Sequence, residues 1–181
     1  MKFVVVYFVG LLFAAATIST VASKWPATRT LGSNQNVQRG PFRFVSAVAN
    51  GAQADVDTDT KGTVKLRFDE GFTQLNFHLE IEDGMLITQA HLHCGFAGVN
   101  GPPAVFLFNV APVPGPGGED VDGTANEGTL MNGDIVEVTC PSGYVITNLV
   151  SLYHAIRIGE IYLNVHSETY PNGVIRGQLF I

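Results

Sequence analysis

Two stretches of strict two-residue alternation set what this chain can become. In Gly62–Asp69, Val64, Leu66 and Phe68 oppose Lys65, Arg67 and Asp69; in Leu75–Ile81, Leu75, Phe77, Leu79 and Ile81 oppose Asn76, His78 and Glu80. Successive side chains of an extended chain leave on opposite faces, so a period of two predicts half-buried strands. Gly71 lies in the short connection and predicts a β-hairpin. His78, on the polar side, is expected at the surface.

The pattern recurs along the chain. Phe42 to Val48 predicts a first strand, closed by Asn50-Gly51. Met85–His93 predicts another, with Leu86, Ala90 and Leu92 on one face and Gln89, His91 and His93 on the other. Val105–Phe108, Asp134–Thr139, Glu160–His166 and Val174–Ile181 follow, and Tyr170-Pro171-Asn172-Gly173 is a strong turn signal before the last. Asn-Gly occurs four times, each time between apolar stretches. Between Val145 and Ile158 the spacing changes to three and four, which predicts one short helix with Thr147 as its cap and Gly159 past its end. Residues 111–123 form a Pro/Gly loop, and Gly123–Leu130 a short strand or bend. Asp55, Asp57 and Asp59 have the spacing of a calcium loop, but Thr60 and Leu66 stand where that loop needs a glycine and a bidentate acid. A solvated acidic turn is the better description. The expected fold is all-β: an antiparallel sandwich or barrel of immunoglobulin-like or superoxide-dismutase-like type, with one short helix.

The ends and the charge bound the function. Residues 1–23 have a short positive start, an apolar core and Val21-Ala22-Ser23 before Lys24, the layout of a secretory signal peptide. A single membrane anchor is the competing description, but the apolar core is shorter than the roughly 20 residues a bilayer requires. No later stretch spans a membrane. Residues 24–40 are polar and aperiodic, a flexible extension ahead of a domain at 41–181. The net charge is −6 and the basic residues are scattered, which argues against a nucleic-acid partner. The two cysteines, Cys94 and Cys140, would pair in an oxidising compartment; free thiols serving as soft metal ligands are the alternative.

Three strands offer polar rows. His91 and His93 project from one face; Tyr162, Asn164 and His166 share a face opposite Ile161, Leu163 and Val165; Arg176 and Gln178 share one opposite Ile175 and Leu179. If those strands are neighbours, the rows form one patch. His91, His93 and His166 would then fill three positions of a zinc or copper shell, leaving one open. The competing description is a structural network of cross-strand hydrogen bonds, in which Arg176 ties a loop to the sheet. Nothing in the chain marks a nucleophile: Gly-x-Ser-x-Gly is absent, and no pair of acids stands out.

Ala90-His91-Leu92-His93-x-Gly95, Asn100-Gly101-Pro102, Gly128-Thr129-Leu130, Tyr162-Leu-Asn164-Val165-His166-Ser167 and Pro171-Asn-Gly173-Val-Ile175-Arg176-Gly177-Gln178-Leu179, in that order, resemble the CHRD (chordin-type) domain family. The resemblance runs from about Pro41 to Ile181. It departs at Val174, where the family's Gly-Glu-Ile-Arg-Gly-Gln has Glu. It implies a secreted or cell-surface β-sandwich module of largely undefined biochemistry. The expected role is a non-catalytic one, binding an unidentified extracellular protein or matrix component; the alternative is a zinc- or copper-binding protein. The resemblance does not imply growth-factor antagonism, which in chordin is credited to neighbouring cysteine-rich modules. A second, weaker similarity is to copper/zinc superoxide dismutases, through the His-x-His strand, a glycine-rich loop and a disulfide. The chain has no further histidine between His93 and His154, so the bridging ligand and zinc loop of that family are missing.

Overall fold

The computed structural model describes residues 42–109 and 117–181. The expected leader (1–23), the extension (24–40) and part of the Pro/Gly loop (110–116) lie outside the described residues. Nine strands and two helices are present among those described: β1 (Phe42–Asn50), α1 (Gly51–Ala54), β2 (Lys61–Asp69), β3 (Gln74–Cys94), β4 (Pro103–Asn109), β5 (Glu119–Met131), β6 (Val138–Thr139), β7 (Val145–Ile146), α2 (Leu149–Arg157), β8 (Ile161–Ser167) and β9 (Ile175–Gln178).

Every pairing is antiparallel, and the ladder returns on itself. β1 pairs β2, β2 pairs β3, β3 pairs β8, β8 pairs β9, and β9 meets β1 again at Arg176 and Asn50. The result is a barrel-like ring, with β5 and β4 added to successive halves of β3. β2 and the first half of β3 form the expected hairpin, its turn held by the Asp69 carboxylate. That carboxylate accepts from the Thr73 N–H at 2.7 Å, the Gln74 N–H at 2.8 Å and the Thr73 hydroxyl at 2.8 Å. These bonds hold Asp69 below the usual carboxylate range, the Gln74 amide contributing most.

β3 is one long strand where the alternation suggested two. In its first half the odd residues Leu75, Phe77, Leu79 and Ile81 face the core; in its second half the even residues Ala90, Leu92 and Cys94 do. A change of parity requires an extra residue in the ladder. The register shifts around Gly84 and Ile87 supply it, with Asp83 and Leu86 in the left-handed region at φ 52° and 49°. Leu86 therefore does not share the Ala90–Leu92 face as expected; it is 39% exposed beside Met85.

Three further expectations are corrected. The end of the 111–123 loop and the bend that follows are a single strand, β5, lying along the first half of β3 from Gln74 to Ile87. It reads as loop because one face is solvated and polar, while Val121, Ala125 and Leu130 rest on the core. The helix starts at Leu149, one residue later than a Thr147 cap predicts, and Val145 and Ile146, included in the helical spacing, pair with β6 instead. Its cap is Asn148, whose side chain accepts from the Ser151 N–H at 3.0 Å while the Asn148 N–H donates to Ser151 Oγ at 3.0 Å. Finally, Phe106 within the apolar run 105–108 is half-exposed rather than buried.

The core fills the ring. Val64, Leu66, Phe68, Leu79, Leu92, Leu163 and Ile175 are at most 1% exposed, and α2 adds Leu149, Leu152, Ala155 and Ile156. Cys94 and Cys140 join there in a disulfide across 46 residues. Asp55, Asp57 and Asp59 are exposed, as a solvated turn requires.

Candidate functional site

The ladder makes the three polar rows neighbours. His91 stands opposite Asn164 and His93 opposite Tyr162 in the β3–β8 pairing; Tyr162 stands opposite Gln178 and Asn164 opposite Arg176 in the β8–β9 pairing. These side chains leave the barrel on the face away from the core, yet they are covered. Tyr162, Asn164, Arg176 and Gln178 are all below 9% exposed, as is His91.

The cover is the glycine-rich loop 95–101, and the patch hydrogen-bonds to its backbone. Arg176 Nη1 donates to Asn100 Oδ1 at 3.0 Å, and Nη2 donates to the carbonyls of Phe96 at 3.0 Å and Val99 at 2.9 Å. Its guanidinium lies over the Tyr162 ring, 3.4 Å from the centroid. Burial draws Arg176 below the usual guanidinium range, and Tyr162 opposes that shift. The Tyr162 hydroxyl accepts from the Gly101 N–H at 3.2 Å. Gln178 Nε2 is in hydrogen-bond contact with the carbonyls of Gly95 at 3.0 Å, Gly159 at 2.7 Å and Ile161 at 2.9 Å. Gly101 is required by packing, since a Cβ there would fall on the Cys94 carbonyl. The departure at Val174 is met in the same way: the Arg176 guanidinium is satisfied by loop carbonyls and Asn100.

The three histidines occupy one end of this clasp. His93 Nδ1 donates to the Gly101 carbonyl at 2.8 Å, and His166 Nδ1 donates to the Pro171 carbonyl at 2.9 Å. A carbonyl can only accept, so both rings carry their proton on Nδ1 and keep a lone pair on Nε2. His166 Nε2 has one long contact, from Asn164 Nδ2 at 3.4 Å. His93 Nε2 and both nitrogens of His91 are buried and have no hydrogen-bond partner among the described residues. The ring centroids lie 5.5 Å (His91–His93), 5.0 Å (His91–His166) and 5.7 Å (His93–His166) apart. One nitrogen from each can be chosen so that all three lie within 4.8 Å of one another. Phe106 of β4 closes the far side of His91, edge-on at 4.5 Å.

Burial lowers the basicity of all three. His91 is pushed down to about 4, by desolvation first and then by His166 and His93. His93 and His166 are lowered mainly by desolvation, each partly restored by its carbonyl partner. The cluster is therefore neutral at neutral pH, the form in which imidazole binds metals.

The structure thus brings together every member of the expected patch and places Cys94 on the opposite face, bonded to Cys140. Cys94 and Cys140 also lie with Glu160, but sulfurs joined in a disulfide offer no thiolate. Glu160 is fully buried beside them, one oxygen accepting from the Ser142 N–H at 3.2 Å and the other without a partner. Sequence reasoning missed Glu160, Asn100 and Phe106. Asn100 had a signal, its place in Asn100-Gly101-Pro102; the other two had none. His78 is not at the open surface but covered between Glu80 at 3.3 Å and Glu127 at 3.0 Å. A cleft of about 740 Å³ lies elsewhere, lined by Asp59, Asp83, Asp120 and Asp122 among others.

The family model of the CHRD domain matches residues 45–179. No curated protein and no solved structure matches the chain.

Proposed function

Because the chain belongs to the CHRD domain family, we propose that it works outside the cell as a non-catalytic module, binding or bracing another extracellular protein or a matrix component. The observation that carries this reading is the buried Cys94–Cys140 disulfide at the foot of the loop clasp. Such bonds form and persist in oxidising compartments. A non-catalytic role is supported by how the patch uses its polar groups. Arg176, Tyr162, Gln178 and Asn164 direct theirs to the chain's own loops, and few donors are left to orient a substrate. Among the described residues no helix is long and apolar enough to cross a membrane. The acidic balance and scattered basic residues give no surface for nucleic acid.

Expression of the whole chain from its own first residue in a secreting host tests this reading. Protein in the medium, with an intact mass that starts near Lys24 and lacks the two thiol hydrogens, is the expected result. Retention in the lysate with both cysteines open to alkylation overturns it.

A further inference from the structure

We propose that His91, His93 and His166 form a site for one zinc or copper ion, bound through Nε2 of His93, Nε2 of His166 and one nitrogen of His91. Nothing in the module reading above requires this site, and it stands on a different set of atoms from the loop clasp.

Three features support it. The first is convergence: three imidazole nitrogens lie within 4.8 Å of one another. A tetrahedral ion with bonds of 2.0–2.1 Å needs them about 3.3 Å apart. Closing that gap is the rearrangement that binding requires. The second is the tautomer. His93 and His166 each donate Nδ1–H to a backbone carbonyl, Gly101 and Pro171, which leaves the lone pair on Nε2. Metal-binding histidines are held in this way. The third is the unmet need. Buried nitrogens normally find a partner, yet among the described residues His93 Nε2 and both His91 nitrogens have none, and His166 Nε2 has a long contact with the Asn164 amide at 3.4 Å. A loop clasp accounts for Arg176, Tyr162 and Gln178; it does not account for three imidazoles whose nitrogens come within 4.8 Å of one another.

The donor set defines the ligand class. Three nitrogens and no oxygen exclude calcium and magnesium, which need oxygen shells. Imidazole suits zinc and copper. Both cysteines are committed to the core side, so no thiolate joins the set. The three ligands bring no negative charge, and the Arg176 guanidinium lies over the Tyr162 ring on which His93 stacks. The fourth position is therefore suited to hydroxide or a small anion rather than to a further neutral donor.

The test uses untagged full chain, purified without chelator, stripped with EDTA, dialysed and titrated with Zn²⁺ and separately with Cu²⁺. One equivalent bound is expected, with a thermal midpoint raised by about 5–10 °C at saturating ion. Co²⁺ should give the visible bands of a nitrogen-bound tetrahedral centre. His166 is partly exposed and its replacement is tolerated best, so His166→Gln is the first variant. It should keep the metal-free midpoint within a few degrees and lose at least about 100-fold in ion affinity. His91→Phe, which fills its site with an apolar ring, should do the same. Less than a tenth of an equivalent bound by the wild type overturns the site. So does unchanged affinity in folded His166→Gln. Neither result bears on whether the chain is exported or disulfide-bonded, so this proposal and the module reading fail separately.

Discussion

Strand β3 passes through two environments that the same alternation does not distinguish. In its first half the outward residues Asn76, His78 and Glu80 meet charged and polar neighbours on β2 and β5. Lys65 reaches Glu80 at 3.4 Å with both side chains about half exposed, 50% and 41%. In its second half the outward residues His91 and His93 meet Tyr162 and Asn164 of β8 under a loop, and His91 is 4% exposed. One half has a core face and a face that is wet apart from the covered His78; the other has a core face and a dry polar face. Polar groups that water can reach contribute little when paired. Polar groups that water cannot reach are costly when left alone. Stability and chemistry are therefore unequally divided along a single strand, and mutations at equivalent outward positions should differ several-fold in cost.

The largest effect is expected at the covered end. Cys94→Ser with Cys140→Ser releases a closure of 46 residues, and the chain-entropy model puts the loss at about 4 kcal/mol. Denaturant unfolding of the double variant against the oxidised protein checks this. Arg176→Met comes next. It keeps an unbranched apolar stem but removes the guanidinium over Tyr162 and three hydrogen bonds to the 96–100 loop, for about 3 kcal/mol. The loop itself should report first, as faster amide exchange at Val99 and Gly101 while the β2–β3 hairpin stays protected. Equal loss of protection in the hairpin would mean that the two halves are one cooperative unit and that the contrast has no energetic content.

A third prediction separates the halves by pH. In protein kept in chelator, His91 is held near 4 when folded, against about 6.5 when unfolded. The unfolded chain therefore binds more protons between those values, and stability falls as pH drops from about 6.5 towards 4, then levels off. The shift corresponds to roughly 3 kcal/mol in all. His93 and His166, also lowered, add in the same direction, while Arg176 stays charged throughout and contributes no slope. His91→Phe should remove most of the slope above pH 4.5. A slope that survives the substitution would assign the acid sensitivity to the other two histidines or to carboxylates elsewhere.

The same contrast explains what could be read from the sequence. The wet half was legible because alternation and burial coincide there: Val64, Leu66, Leu75 and Phe77 are where a period of two puts them. The members of the polar patch could be named for the same reason, and so could the core-facing side of Cys94. The neighbour relations were not legible, since the pairing of β3 with β8 and of β8 with β9 is a matter of long-range closure. Nor was the change of parity near Gly84 and Ile87, because a bulge leaves the local pattern intact on both sides and only swaps which parity points inward. β5 escaped because an edge strand rich in Gly, Asp and Glu contradicts strand propensity and pairs with β3 alone among the described strands. The cover over the patch came from Phe96, Val99 and Asn100, whose contribution is mostly backbone carbonyls, and carbonyls leave no trace in residue type.

The smallest predicted effect gives the comparison its scale. Lys65→Ala, Glu80→Ala and the double variant form a cycle on the wet face, and their coupling should be about 0.5 kcal/mol or less. Lys65 stands directly opposite His78, so Glu80 is a diagonal neighbour reached by a flexible stem. Ordering that stem opposes most of what the charge pair contributes, and salt weakens the remainder. The coupling should therefore fall further in 0.5 M salt, whereas the cost of Arg176→Met, whose partners are buried carbonyls and Asn100, should barely change. The informative quantity is the ratio of the two costs. A ratio of about six or more means that the loop over β3, β8 and β9 makes its polar groups matter. A ratio near one means that the cover over Arg176 opens to water often enough for its hydrogen bonds to be worth no more than an exposed pair.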